Sequence, residues 1–531
     1  MRAMRDEVHY GDRVVRCYAD RPEHVDQMLR AAAAQRPEAI ALVEGSRRVT
    51  YAELDAAVAC VAGNLRNCGI AQGDRVALIL GNRIEFIEAT FAVARLGAIS
   101  VPINIRQRRP ENEYVLRHSG ATAVIFEAEL ASEMPDASAA PELRHRFAIG
   151  GTVSGDGSYV DLQRPIGSVP ADVAIAEEDT FCILYTSGTT GRPKGAMLTH
   201  LGVIHSCLHF VEGWGLGPSD VSILAVPASH VTGSVAVILP MVLVAGRTVV
   251  MPTFKAHAYL ELTAAERVTH TIIVPAMYNL CLLDPDFDRF DLSAWRIGGF
   301  GGAPMPEAAI KRLAEKLPNM ALCNAYGATE STSPTTMMPL RQGLAHAESV
   351  GTVVPCGEVR IMDERGREVP RGHAGEIWIA GPMVVPGYWD NPEANQANFT
   401  GGYWKSGDIG SIDNEGYVRV FDRKKDMINR AGFKVYSAEV ENMLSHHPGI
   451  VEVAIVGRPD DVLGERVQAF IVRKSTDVTE ADIRAFCLSR MSDYKVPDRI
   501  TFLPDALPRN ANGKVLKPVL RQMIAAEVNA G

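Results

Sequence analysis

Between about Tyr51 and Val250 the sequence alternates helical patterns with short runs rich in valine, isoleucine and leucine. Residues 74–80 and 121–126 have the composition of strands, and 85–95 form a helical pattern that Gly97 closes. Strands that alternate with helices favour a parallel sheet whose two faces are covered by those helices. We therefore predict an α/β fold for this part of the chain.

The chain has 531 residues, more than a single hydrophobic core usually supports. A region from about 349 to 420 is punctuated by glycine and proline and predicts a small barrel or distorted sheet, with strands at 357–361 and 375–379. Five charged residues in a row then mark a change of composition. We predict an N-terminal domain at 1–422 and a small α+β C-terminal domain at 423–531.

Composition predicts a soluble globular protein that does not bind nucleic acid. Hydrophobic residues make up 47% and charged residues 22%, as in soluble globular proteins. The net charge of −9 argues against nucleic-acid binding. The N-terminus has no signal-peptide pattern, and the most apolar stretch, 235–246, is too short to span a bilayer. Nine cysteines without paired spacing predict reduced thiols and a cytoplasmic location.

A loop rich in glycine and hydroxyl side chains joins two predicted strands, 181–185 and 196–199. Residues 184–195 read Leu-Tyr-Thr-Ser-Gly-Thr-Thr-Gly-Arg-Pro-Lys-Gly. The glycines let backbone N–H groups converge, and the hydroxyls and the lysine add further donors, so the loop suits a polyanion such as phosphate. An ordinary hairpin turn is the alternative. The spacing differs from GxxxxGK[ST], which disfavours a P-loop NTPase.

Four further segments carry residues suited to nucleotide chemistry. The dense glycines of 298–305 imply close approach of backbone to a ligand or to another strand. Residues 324–330 offer an aromatic ring, a hydroxyl and a carboxylate that could stack on a purine and hold Mg²⁺. Residues 403–408 place a carboxylate just after a predicted strand, where it could accept ribose hydroxyls. Residues 508–515 put one lysine on a glycine-containing turn.

Taken together, these segments resemble the adenylate-forming enzymes, which include acyl-CoA synthetases, peptide-synthetase adenylation domains and firefly-type luciferases. The motifs follow in that family's order from Thr50 to Lys514, nearly the whole chain. The resemblance implies that ATP and a carboxylate give an acyl-adenylate and pyrophosphate, after which a thiol displaces AMP. It also implies a mobile C-terminal lid domain.

The resemblance assigns a role to each matching residue. The ATP/AMP site comprises the phosphate loop, the adenine slot and a ribose-binding pair, in that order: Thr186, Ser187, Gly188, Thr189, Thr190 and Lys194; Gly302, Ala303, Pro304, Asn324, Tyr326 and Gly327; Asp408 and Arg423. The catalytic set is Thr329 at the α-phosphate, Glu330 as the Mg²⁺ ligand, His230 at the acyl-pocket mouth, and Lys514 bridging the acyl oxygen and the α-phosphate.

The lid has its own implied residues. Lys425 corresponds to the hinge, and Gly432, Phe433 and Lys434 correspond to the segment that faces CoA, where Gly432 leaves room for the pantetheine arm. The commonest family pattern has Gly-Arg before the hinge. This chain has Asp422-Arg423 there, which some members share.

The substrate is the least constrained prediction. The implied acyl pocket is lined by His230, Val231, Thr232, Gly233, Phe300, Gly301 and Gly327. Acetate-specific relatives have tryptophan at the position of Gly327, so a longer pocket is expected, and residues 228–233 contain no lysine or arginine. We expect an apolar monocarboxylate, either aromatic or medium- to long-chain aliphatic.

The acceptor is expected to be CoA, because no carrier domain follows Lys514. Loading of a separate carrier protein is the enzymatic alternative, and a nucleotide-binding module without catalysis is the alternative from another class. A homodimer is a common assembly in the family.

Overall fold

A computed structural model describes residues 2–166, 173–186, 192–303, 305–509 and 515–529. The chain divides into two compact units. Unit 1 comprises residues 1–304, 312–359 and 379–405, and unit 2 comprises 305–311, 360–378 and 406–531. The domain boundary drawn after residue 422 was based on composition and stays a prediction.

The strands of the described part are, in chain order, β1 (Met4–His9), β2 (Arg13–Tyr18), β3 (Ile40–Glu44), β4 (Arg47–Thr50), β5 (Arg75–Ile79), β6 (Ile99–Pro102), β7 (Ala123–Glu127), β8 (His145–Ile149), β9 (Gly157–Ser158), β10 (Thr180–Thr186), β11 (Lys194–Thr199), β12 (Val221–Leu224), β13 (Arg247–Val250), β14 (His270–Ile273), β15 (Ile297–Phe300), β16 (Ala321–Tyr326), β17 (Thr336–Met337), β18 (Thr352–Val353), β19 (Glu358–Met362), β20 (Gly375–Ala380), β21 (Phe399–Thr400), β22 (Tyr403–Ile412), β23 (Val418–Arg423), β24 (Ile428–Arg430), β25 (Phe433–Val435), β26 (Ile450–Asp460), β27 (Gly464–Arg473) and β28 (Arg499–Phe502).

The α-helices are, in the same order, α1 (Val25–Gln35), α2 (Tyr51–Asn67), α3 (Ile84–Arg95), α4 (Arg109–Ser119), α5 (Tyr159–Leu162), α6 (His200–Trp214), α7 (Leu239–Leu243), α8 (Ala256–Ala265), α9 (Pro275–Leu282), α10 (Glu307–Lys316), α11 (Pro392–Asn398), α12 (Ser437–Ser445), α13 (Glu480–Leu488) and α14 (Lys517–Asn529).

A seven-stranded sheet in unit 1 has the order β11-β10-β6-β5-β7-β8-β9. Its strands run parallel except β11, which pairs antiparallel with β10 on the other side of the predicted phosphate loop. The apolar runs of β5 and β7 are buried on both faces, as expected for a helix-covered parallel sheet. The predicted strands at 74–80, 121–126, 181–185 and 196–199 are confirmed.

A nine-stranded sheet in unit 1 has the order β18-β17-β16-β15-β14-β12-β13-β3-β4. The strands from β16 through β3 run parallel. The predicted alternation of strands and helices ended at Val250. The sheet instead continues along the chain to β18, and it also includes β3 from near the N-terminus. The predicted helix at 85–95 is α3, which is buried along its whole length.

Helix α2 shows how the sequence sets an element boundary. The Thr50 hydroxyl accepts a hydrogen bond from the Glu53 N–H, and the Glu53 carboxylate accepts one from the Thr50 N–H. This capping box satisfies two backbone donors that the helix itself leaves unpaired, and such a cap contributes about 1 kcal/mol.

The region from 349 to 420 forms a five-stranded sheet in the order β19-β20-β22-β21, with β23 paired to β22. The predicted strands at 357–361 and 375–379 are β19 and β20. Strands β19, β20 and β22 have residues in both units.

Unit 2 contains a second five-stranded sheet, with the order β25-β24-β27-β26 and β28 paired to β27. Apolar side chains of this sheet pack with those of α12 and α13 in one core. The predicted fold class, α/β with a small α+β part, is confirmed, and mobility of that part stays a prediction. In the described residues, no helix has the length and apolarity needed to cross a membrane, and 235–246 spans a π-helix and α7.

Candidate active site

The predicted acyl and adenine segments follow parallel strands of the nine-stranded sheet. The segment 228–233 follows β12, 301–303 follows β15, and 327–330 follows β16. Because these strands run parallel, their carboxyl ends lie at one edge of the sheet, and Phe300 at the end of β15 is paired with Asn324. Ligands of open α/β sheets bind outside this edge. The fold therefore places the predicted acyl and adenine segments at the edge of the sheet where ligands bind.

The glycines within and after β15 are needed for two different structural reasons. A Cβ on Gly299 would lie 2.7 Å from the carbonyl oxygen of Thr271, and one on Gly301 would lie 2.4 Å from that of Ala325. Close approach to a neighbouring strand therefore explains both. Gly302 differs, because its φ is +75° with open space around it, and Ala303 beside it is exposed.

Glu330 lies in a short helical turn, Thr329–Ser331, and both Thr329 and Glu330 are buried. The Tyr388 hydroxyl donates to Glu330 Oε1 at 3.0 Å, and the Thr186 hydroxyl makes a longer contact with the same oxygen at 3.4 Å. Lys194 Nζ lies 5.0 Å from the centroid of the Tyr388 ring. The structure thus connects three predicted residues, because Glu330 and Lys194 both contact Tyr388 and Thr186 contacts Glu330.

Tyr388 was missed by the sequence analysis. It falls inside the region predicted as a small barrel, and it carries no charge that would single it out. Its partners lie far away along the chain, so no local spacing reports the contact. The Gly-Tyr-Trp sequence at 387–389 is the only local feature, and it has no chemical signature of its own.

His230 is held by the turn that begins π-helix Thr232–Ile238. Its Nδ1 accepts a hydrogen bond from the Thr232 N–H at 3.2 Å and lies 3.1 Å from the Thr232 hydroxyl. An Nδ1 that accepts from an N–H carries a lone pair, so the proton of the neutral ring is on Nε2. A Cβ on Gly233 would lie 2.3 Å from the Pro227 carbonyl oxygen, so this turn requires glycine. Val231 is buried beside it.

Gly327 changes the argument about pocket length. An added Cβ would lie 3.1–3.3 Å from backbone atoms of Ser333, Pro334 and Thr335. The Thr335 N–H donates to the Tyr326 carbonyl oxygen at 2.7 Å, which fixes this approach. Close backbone packing therefore favours a glycine here independently of pocket size, and the longer acyl pocket stays a prediction.

In unit 2, the predicted ribose-binding residues contact each other. Asp408 and Arg423 are opposite residues of the antiparallel pair β22–β23, and Arg423 Nε lies 2.7 Å from Asp408 Oδ1. Arg423 also donates to the Ser406 carbonyl oxygen at 3.2 Å. The Asp408 side chain is 7% exposed and that of Arg423 39%. The prediction that Asp408 follows a strand was wrong, because β22 extends through it to Ile412.

The predicted hinge, Lys425, is exposed in the turn after β23. Arg521 of α14 donates to its carbonyl oxygen at 3.2 Å and forms an ion pair with Asp426 at 2.6 Å. Burial raises the pKa of Asp422, although the charge of Lys517 opposes this shift. The exposed turn at Lys425 is thus preceded by the buried carboxyl group of Asp422 and followed by the Asp426–Arg521 ion pair.

The predicted CoA segment is a tight hairpin between β24 and β25. Ala431 and Gly432 form its turn with φ values of 52° and 89°, the type I′ pattern. Phe433 is exposed and stacks on Tyr494 with ring centroids 4.7 Å apart. Lys434 Nζ lies 3.4 Å from Glu364 on the surface. Ser187, Gly188, Thr189, Thr190, Pro304 and Lys514 lie outside the described residues, and their roles stay predictions.

Comparison with known proteins matches the chain to two families. The AMP-binding enzyme family matches residues 29–389, and the AMP-binding enzyme C-terminal domain family matches 439–514. A long-chain-fatty-acid–CoA ligase of Mycobacterium tuberculosis, FadD13, is 37% identical over 513 residues, which cover 95% of this chain and 99% of that protein. A feruloyl-CoA synthase of an Amycolatopsis species is 34% identical, with 92% and 96% covered.

A solved structure agrees with these relatives. The anthranilate CoA ligase AuaEII in complex with anthranoyl-AMP superposes with a TM-score of 0.89 at 27% identity, over 95% of this chain and 98% of that one. The segment order, the strand-end position of the predicted site and these matches agree. The chain belongs to the AMP-binding, adenylate-forming enzyme family and is of its fatty-acid or aryl-acid CoA ligase type.

Proposed function

We propose that this protein is an ATP-dependent carboxylate–CoA ligase that works through an acyl-adenylate. A carboxylate oxygen attacks the α-phosphorus of ATP and pyrophosphate leaves. The CoA sulfur then attacks the acyl carbonyl carbon, AMP leaves, and the thiol proton passes to solvent. The structural observation that supports this most strongly is that Tyr388 contacts both Glu330 and Lys194 while Thr186 contacts Glu330.

The first half-reaction brings together two anions, so fixed positive charge and hydrogen-bond donors must offset their repulsion. Lys194 supplies an ammonium group next to the predicted phosphate loop. Glu330 offers carboxylate oxygen, and Thr186 a hydroxyl oxygen, which are the hard ligand types that Mg²⁺ takes. Mg²⁺ bound there would neutralise phosphate charge, and we propose Glu330 as its protein ligand.

The second half-reaction uses other residues of the chain. We propose that the C-terminal part rotates about Lys425, which withdraws Lys514 and presents the Gly432–Lys434 hairpin to CoA. The exposed position of Lys425 in a turn supports this, because a hinge residue must change its backbone angles without breaking a core.

Lys425→Pro should therefore slow thioester formation more than adenylate formation, because proline fixes φ at one value. Stopped-flow measurement of the two steps would decide this, with wild type as the reference. Equal slowing of both steps would contradict a hinge at this position.

The proposed acid is an apolar monocarboxylate, aromatic or medium- to long-chain aliphatic. The absence of lysine and arginine from residues 228–233 supports an uncharged tail. The relatives named above include ligases for both a long-chain fatty acid and an aromatic acid, so they are compatible with either class.

A pyrophosphate-release assay over benzoates, cinnamates and fatty acids of increasing length tests the proposal. Release that requires one acid class, with a CoA thioester formed only when CoA is added, is the expected result. Release with acid but no thioester from CoA would favour loading of a carrier protein. Nucleotide binding with no release for any acid would favour the non-catalytic alternative.

We further propose a cytoplasmic location and a homodimer. The nine cysteines are all free thiols, seven of them buried, which suits a reducing compartment. Cell fractionation and light scattering of the purified protein test these two proposals directly.

A further inference from the structure

We propose that Tyr388 is a positioning residue that fixes Glu330 and Lys194 for the nucleotide, an inference that rests on the proposed function. Its hydroxyl donates to Glu330 Oε1 at 3.0 Å while Lys194 Nζ lies 5.0 Å from its ring centroid. The side chain is 3% exposed, so both contacts form in a desolvated setting. One rigid side chain thereby contacts both the predicted metal ligand and the predicted phosphate ligand.

The backbone of Tyr388 is held on one side by strand β11, which begins at Lys194. Tyr388 forms an antiparallel bridge with Ala196, the Trp389 N–H donates to the Gly195 carbonyl oxygen at 2.7 Å, and the Met197 N–H donates to that of Gly387 at 3.1 Å. The strand that presents Lys194 is therefore the strand that positions Tyr388. The β-bridge therefore fixes the separation of the two backbones.

Asn395 holds the same residue from a second direction. The Tyr388 N–H donates to Asn395 Oδ1 at 2.6 Å, and Asn395 Nδ2 donates to the Tyr388 carbonyl oxygen at 3.1 Å. A Cβ on Gly387 would lie 2.8 Å from Asn395 Oδ1, so a side chain there would displace the Asn395 amide. Both main-chain polar groups of Tyr388 are thus bound by one amide side chain.

Glu330 is held by this same segment at two points. The Val385 N–H donates to the Glu330 carbonyl oxygen at 3.0 Å, and the Tyr388 hydroxyl reaches its carboxylate. Among the described residues, both hydrogen bonds to the carboxylate end on Oε1, and Oε2 accepts none. The arrangement fixes the direction of the carboxylate and leaves Oε2 for a cation.

The chemistry of tyrosine suits this role. A neutral hydroxyl bound to a carboxylate orients it without cancelling its charge, whereas an arginine or lysine would. The ring attracts the Lys194 ammonium group without forming an ion pair. Both charges therefore remain available to a metal–nucleotide complex, and neither group has to reorganise when the complex binds.

Two substitutions of Tyr388 separate the roles of the hydroxyl and the ring. Tyr388→Phe keeps the ring and should raise the Kd for ATP about tenfold in the presence of Mg²⁺ but less than about twofold with EDTA, because only the carboxylate loses its partner. Tyr388→Leu removes both contacts and should weaken binding in both conditions. Isothermal titration calorimetry with ATP measures all four values.

Tyr259→Phe is the matched control. Its hydroxyl is also buried and donates to a side-chain oxygen, Thr271 Oγ1, at 3.1 Å, and neither residue is assigned to the predicted nucleotide site. It should lose similar stability and leave both Kd values unchanged. In a Glu330→Gln background, Tyr388→Phe should have no further effect on Mg²⁺-dependent binding, because the group through which it acts has lost its charge.

The inference is overturned if Tyr388→Phe binds Mg²⁺·ATP as Tyr259→Phe does, or if its effect is fully additive with Glu330→Gln. Failure of the proposed function would look different. In that case the wild-type protein would release no pyrophosphate with any acid, while the calorimetric comparison of the tyrosine variants could still succeed or fail.

Discussion

Lowering the pH from about 7.5 to about 5 should strongly destabilise unit 1, because it contains four buried neutral histidines whose unfolded forms would bind protons. Burial lowers the pKa of His200 to about 3 and the pKa values of His205 and His270 to about 4, and it lowers that of His209 well below its ordinary value. His200 and His205 each accept a hydrogen bond from a backbone N–H, as only a neutral ring can.

The magnitude follows from the difference between folded and unfolded pKa values. An unfolded histidine titrates near pH ~6.5, and each pH unit below that value costs about 1.4 kcal/mol for a group kept neutral in the folded state. At about pH 5 each histidine therefore loses about 2 kcal/mol of stabilisation, and four lose about 8 kcal/mol. A domain is typically stable by about 5–15 kcal/mol, so the loss is comparable with the whole.

Carboxyl groups change this predicted loss of stability only slightly between about pH 7.5 and about pH 5. The Arg21 side chain lowers the pKa of Glu7, so the stability it contributes is lost only below the unfolded carboxyl range, near pH ~4. Burial raises the pKa of Glu88, and its folded form gains protons as the pH falls, which offsets part of the histidine effect. The net direction remains loss of stability on acidification.

Hydrogen–deuterium exchange of helix α6, which carries three of these histidines, measures the effect. After correction for intrinsic exchange rates, the opening free energy should fall by about 6 kcal/mol between about pH 7.5 and about pH 5 from the three histidines of α6, and by about 8 kcal/mol where the opening also exposes His270. In His209→Phe the fall should be about 2 kcal/mol smaller, because one group no longer titrates. A fall of less than about 2 kcal/mol in the wild-type protein would show that these histidines do not stay neutral in the folded state.

Three substitutions test other parts of the account. Asp408→Asn should raise the Kd for ATP about tenfold, measured by calorimetry, because Arg423 loses its charged partner and the proposed ribose acceptor is neutralised. Gly301→Ala should reduce the free energy of unfolding by about 1–3 kcal/mol, measured by denaturant unfolding, since its Cβ would lie 2.4 Å from the Ala325 carbonyl oxygen. Lys514→Ala should slow adenylate formation about 10²–10³-fold in single-turnover assays yet largely spare transfer from supplied acyl-adenylate.

Each of these has an outcome that would count against it. Gly217→Ala is the control for Gly301, since Gly217 has open space around it, and equal destabilisation by both would show that steric contact is not the cause. Unchanged ATP affinity in Asp408→Asn would remove the ribose assignment. Equal loss of both half-reactions in Lys514→Ala would contradict a lysine that serves only the first.

The parts of the fold that sequence could predict are those with local signals. Strands β5 and β10 are short apolar runs bounded by polar or glycine-rich segments, and helix α3 ends at a glycine that closes it. The pairing of β3 with β13 could not be predicted, because it joins parts of the chain distant in sequence. The position of Asp408 was misjudged because polar residues interrupt β22 without ending it.

Within the site, the sequence could predict which residues contribute, but not the three-dimensional contacts that require them. Thr186, Lys194 and Glu330 were recognisable from motif order, and the structure brings them together. Tyr388 was not recognisable, because its role depends on a bridge to β11. Gly327 was assigned to pocket size, whereas its Cβ direction meets backbone. Such packing constraints exist only in three dimensions.

Product analysis of the complete reaction shows whether this protein joins an acid to CoA through an adenylate. The purified protein is incubated with ATP, Mg²⁺, CoA and the acid that gives most pyrophosphate, and phosphorus NMR follows the products. We expect AMP and pyrophosphate in equal amounts, with one CoA thioester per AMP and no turnover without the acid. Formation of ADP and orthophosphate, or AMP formation that does not depend on the acid, would contradict it.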